Sequence, residues 1–134
     1  MKREDVDRFE KLVGQLSGIY DEMSVLSKKS PSDATNMFKL RFINTLLAQS
    51  NDLLSEHYKP FKDFTEFNID DVPQNSDVVL ILSQYLQCFE KLRADNVTVK
   101  LGQWYWAVKA DKHEQGAEKG FVYLKTVMPK RLRE

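Results

Sequence analysis

The chain predicts an α+β fold: a long antiparallel helical hairpin, a third helix packed on it, and a small C-terminal antiparallel sheet. Three observations carry this expectation. Apolar residues recur at helical spacing as far as Asn96, the first two helical runs are separated by only a few residues, and beyond Asn96 β-branched and aromatic residues alternate with polar ones. An all-helical bundle is the alternative.

In the first run, Val6, Phe9, Val13, Leu16, Tyr20 and Met23 fall on one stripe, widened by Leu12, Ile19 and Leu26. The spacing predicts a helix from about Glu4 to Lys28, ending on lysines that complement the negative end of the helix dipole. Gly14 and Gly18 lie on its polar face. They read as two tolerated glycines costing about 1 kcal/mol each, with a flat groove for a partner's backbone as the sharper reading.

The stretch Ser30-Pro31-Ser32-Asp33 has the form of a helix start, with Ser30 as cap, Pro31 in the first turn and Asp33 as the reciprocal carboxylate. A second helix is therefore expected from here through Phe38, Phe42, Ile43, Leu46, Leu47, Leu53 and Leu54 to about Tyr58. So short a link forces an antiparallel hairpin over residues 1–58, with arms of roughly 40 Å at about 1.5 Å per residue. The second helix is apolar around nearly half its circumference, more than one partner helix covers. A third element or a second copy of the chain must meet it.

Residues 59–77 form an aromatic and acidic connector. Phe61, Phe64 and Phe67 alternate with Asp63, Glu66, Asp70 and Asp71, so a short helical turn should fold the rings back onto the hairpin. An exposed docking segment is the alternative. Asn75 or Ser76 then caps a third helix, residues 77–95, whose first half, through Val-Val-Leu-Ile-Leu, is apolar on every side and should be buried.

In residues 97–127, Val97, Val99 and Leu101 alternate with Thr98 and Lys100, and Trp104, Trp106 and Val108 with Tyr105 and Ala107. A two-residue loop at Gly102-Gln103 pairs Val99 with Trp106 and Val97 with Val108, placing every apolar residue on one face. Residues 121–127 supply a third strand, and residues 128–134 a basic tail. Helical templates also fit Val97, Leu101, Trp104 and Val108, and Ala117, Phe121, Leu124 and Met128, which keeps the all-α alternative open.

The bulk properties narrow the function. At 134 residues the chain is one domain by size, and its 20 basic and 20 acidic residues leave no global field to gather polyanions. Charge drifts from −1 over residues 1–58, through −3 over 59–77, to +4 over 78–134. Lone Cys88 excludes an internal disulfide, and the absence of a signal peptide or of any apolar run beyond five residues points to a cytoplasmic protein without a membrane partner.

Catalytic candidates are sparse. His57 lies on the apolar stripe near a helix end, Cys88 within a helix, and His113 in a charged loop, with no zinc-like spacing among them. The acids at 63, 66, 70 and 71 lack the pattern of a calcium loop, and no glycine-rich phosphate loop is present. No catalytic, metal or cofactor site is expected. The sequence reads best as a non-catalytic interaction or accessory subunit that self-associates through the helical hairpin. The alternatives are an enzyme of unfamiliar chemistry and a nucleic-acid-binding accessory protein. In the latter, Tyr105 would stack on a base while Lys100, Lys125, Lys130, Arg131 and Arg133 hold phosphates.

Overall fold

A computed structural model describes residues 1–111, 116–117 and 120–130. Helices α1 (Arg3–Lys29), α2 (Met37–Tyr58) and α3 (Asn75–Asn96) precede strands β1 (Val97–Lys100), β2 (Gln103–Lys109) and β3 (Phe121–Thr126). The strands form one antiparallel sheet in the order β1-β2-β3, so the architecture is α+β. Apolar side chains from all three helices, joined by Trp106 and Val108 of β2, make one core cluster.

α1 follows its periodicity closely. Val6, Phe9, Leu12, Leu16, Ile19 and Met23 are buried, while Glu4 and Asp5 sit in the first turn and Lys28 and Lys29 in the last, each complementing the helix dipole. Gly14 and Gly18 face outward, where an added Cβ would meet nothing within 4 Å.

α2 starts six residues later than the Ser30 cap implies. Its N-cap is Asn36, whose side chain accepts the Lys39 N–H at 3.2 Å, and Ser30 instead closes α1 by donating its N–H to Leu26. The link is used to hold the head of α3. Asp33 and Pro31 carbonyls accept the Asn75 and Ser76 N–H groups, and the buried Asn75 amide donates to Ser30 O while accepting from the Thr35 hydroxyl, both at 3.0 Å. Backbone carbonyls of the link are thereby satisfied across the fold, and buried Asn75 gains three partners in Ser30, Asp33 and Thr35.

The expected helical turn lies beyond the phenylalanines, at Ile69–Asp71. Phe61, Phe64 and Phe67 still fold back, with Phe64 between the other two at 5.8 and 5.1 Å and Phe61 reaching Tyr85. Asn44 of α2 clamps the backbone of Phe67 from both sides, donating to its carbonyl at 2.9 Å and accepting its N–H at 2.8 Å.

α3 begins after Gln74, whose N–H is accepted by Asp77, one step earlier than expected. Its first half is not wholly buried: Val78 and Leu82 are, but Leu80 is exposed.

The strand hairpin forms, with a different register from the one expected. Lys100 pairs with Gln103, Val99 with Trp104 and Val97 with Trp106, so the loop is Leu101-Gly102. Both loop residues have positive φ, 51° and 77°, as a type I′ turn requires. Each residue of β1 meets a partner two positions earlier than expected, which leaves every face assignment unchanged; the alternation therefore could not distinguish the two registers. Leu101 becomes a fully exposed turn tip in a left-handed conformation that suits asparagine far better. Replacing it, Leu101→Asn, should raise stability by about 0.5–1 kcal/mol, seen as a higher urea midpoint with unchanged slope; a lower midpoint would contradict this turn.

A buried charge cluster joins the helices to the sheet. The Arg93 guanidinium, 2% exposed, lies 3.1 Å from Glu10 of α1 and 3.1 Å from Glu90 of α3, and donates to the Thr126 hydroxyl of β3 at 2.6 Å. Glu10 Oε1 also accepts from the Trp106 indole at 3.0 Å and from Thr126 at 2.7 Å. The guanidinium stands over the rings of Phe9 and Trp106, which meet edge to face at 4.8 Å. Four elements thus converge on one cation.

Candidate functional site

The sheet has two unlike faces. Trp106 and Val108 point to the helices and are buried, and their partners Leu124 and Val122 share that side. Residues one step out of phase point away, and β2 rests against α1 and α3 with Trp106 and Val108 between them.

The outward face gathers three of the sequence candidates. Tyr105 lies at its centre, directly opposite Lys125 on β3 and Thr98 on β1. Lys100 reaches across the face to place its ammonium 3.5 Å from the centre of the Tyr123 ring, a cation–π contact. Lys109 and Phe121, opposite one another at the far end, complete the set. The sequence reading missed Lys109, Phe121 and Tyr123, because it left β3 without a register. Two-residue alternation in Phe121-Val122-Tyr123-Leu124-Lys125, once paired with β2, is the signal that identifies them.

Lys130 does not join this face. Its backbone N–H donates to Glu90 at 3.0 Å, which draws the segment after β3 toward α3. There it borders a cleft of about 600 Å³ with Gln87, Lys91, Trp104 and Met128 on its walls. Trp104 is consequently only partly covered, whereas Trp106 is fully buried. Arg131, Arg133 and His113 lie outside the described residues.

A second exposed feature lies on α2. The helix buries Leu40, Ile43, Leu46, Leu47 and Leu54 against both α1 and α3, so a third element does meet it. Its apolar surface nevertheless extends past that coverage: Phe38 is 80% exposed, Met37 46% and Phe42 41%. Phe42 borders a groove of about 400 Å³ between α2 and the Lys11–Gln15 edge of α1. Ion pairs from Lys39 to Glu22 at 2.7 Å and from Arg8 to Asp52 at 2.9 Å tie α1 to α2 beside it.

The reactive side chains are on separate elements. His57, expected on the apolar stripe, is exposed, because the helical ladder breaks at Ser55 (φ 59°) and the last turn loses the phase of the stripe. Its ring instead meets Tyr58 edge to face. Cys88 is half-buried on α3, and burial pushes its thiol up from the usual range. Among the described residues, no three His, Cys, Asp or Glu side chains gather as a metal would need, and no helix is long and apolar enough to cross a membrane. The chain matches no family model, no curated protein and no solved structure.

Proposed function

We propose that the protein is a non-catalytic accessory subunit that pairs with a second copy of itself through the outer flank of α2. The observation that carries this is Phe38, 80% exposed and one helical turn from half-exposed Phe42, with Met37 beside it. Contiguous aromatic surface of this kind is uncommon on a monomer and common at the centre of an interface. Two-fold pairing suits it, since antiparallel α2 helices would set Phe38 of each protomer against Phe42 of the other, roughly 6 Å along the axis. A stable dimer buries about 800 Å² per partner, so Arg41, Thr45 and Gln49 of α2 would form the polar rim.

Cys88, whose thiol burial pushes up, yields little thiolate at neutral pH and is not an activated nucleophile. A reducing compartment such as the cytoplasm suits a protein with that one thiol. Sedimentation from 1 to 500 µM tests the pairing, those limits being roughly the range over which micromolar dimers dissociate. The native chain should run as a dimer at the upper end, and Phe38→Glu should run as a monomer whose melting temperature equals that of the native chain at about 1 µM, where the native dimer has dissociated, since that ring supports no core. A native chain that stays monomeric throughout would overturn the proposal.

A further inference from the structure

We infer that the outward face of the sheet is a binding platform for single-stranded nucleic acid. The described strand residues on this face carry three lysines, Lys100, Lys109 and Lys125, together with three rings, Tyr105, Phe121 and Tyr123, and no carboxylate, with Glu4 and Asp111 bordering Lys109 at the far end. This is a local concentration of positive charge on a chain whose net charge is zero. Its field is therefore confined to the platform, where it draws a polyanion to that one surface.

The rings specify which polyanion. Tyr105 and Tyr123 sit on adjacent strands one two-residue step apart, about 7 Å along the sheet. The small Ala107 opposite Tyr123 leaves the space between them low. Separate bases can stack on the two rings while Lys125, beside Tyr105, and Lys109, beside Phe121, meet the flanking phosphates. Lys100 already covers the centre of the Tyr123 ring, so a base stacks there by displacing its ammonium, which then turns to a third phosphate. Duplex bases are stacked on one another and offer no face to such rings, which selects single strands. Recognition of this kind tolerates any sequence, because every base has a π-face.

Fluorescence anisotropy with labelled dT12 and U12 oligomers on the full chain tests the inference. Three lysine–phosphate contacts on a single strand give a log–log salt slope near −2, so affinity should fall roughly 20-fold between about 50 and 200 mM salt. Tyr105→Ala should weaken binding by roughly 5- to 150-fold with little effect on folding, since its side chain points away from the core. The double variant Lys109→Gln, Lys125→Gln provides an independent arm, expected to flatten the slope by about 1.4.

No anisotropy change with 100 µM protein, about the weak end of nonspecific affinity, would overturn the platform. So would equal binding of a 12-base-pair duplex, indifference to Tyr105→Ala, or equal competition by polyglutamate, which would assign the face to an acidic protein. Phe38→Glu should bind the oligomers as the native protomer does, so this inference and the dimer proposal stand or fall separately.

Discussion

Glu90→Ala should cost 3–5 kcal/mol, lowering the melting temperature by roughly 10–20 °C for a chain of this size. The carboxylate is the buried partner of Arg93, whose side chain is only 2% exposed, while the other partner, Glu10, is 41% exposed and partly screened by water. Removing Glu90 leaves a guanidinium in the core with half its compensation, and it strips the Lys130 N–H of its acceptor. A buried charge without a partner is far more costly than no charge at all. The double variant Glu90→Ala, Arg93→Met should therefore recover much of the loss, with thermal melts of both variants providing the comparison. A single variant within 1 kcal/mol of the native chain, the scale of an exposed pair, would show that the cluster is effectively solvated.

The second large effect separates the two tryptophans. Trp106→Ala should cost about 3–5 kcal/mol as a buried large-to-small change, with further loss from the Glu10 hydrogen bond and the contact with Phe9. Trp104→Ala should cost less than half as much, because its ring is partly open to the cleft beside Met128. Urea titration of both variants measures the difference. Near-equal losses would place both rings in one environment and contradict the observed arrangement.

The helices were legible where many residues repeat the same message. α1 carries six buried side chains at 3- and 4-residue intervals, and so redundant a pattern has one good solution. Capping signals are not redundant. Ser30, Pro31 and Asp33 can open a helix or form a turn, and which occurs depended on Asn75 and Ser76, more than forty residues away, which take their carbonyls as partners. The hairpin shows a related limit. Its faces were readable, but its register was not, since pairing shifted by two residues satisfies the same alternation.

The candidate platform was half legible for the same reason. Tyr105 and Lys100 follow from alternation within the hairpin, whereas Lys109, Phe121 and Tyr123 required the pairing of β3 with β2. Lys130 was placed with them on charge alone. Its backbone instead meets Glu90 and turns the chain toward α3, a contact spanning 40 positions that no local pattern encodes.

Periodicity and composition were thus enough to establish the three helices, to favour three strands over the helical alternative they left open, and to separate the inner from the outer face of the hairpin. Both depend on side chains close in sequence, where the geometry of one helix or strand sets the spacing. The tertiary structure alone decided where α2 begins, which two residues make the turn, and that Arg93, Glu10, Glu90, Trp106 and Thr126 share one buried site. Those outcomes depend on polar groups finding partners as water is excluded. Contacts spanning up to 116 positions do that here, and no short stretch of sequence records them.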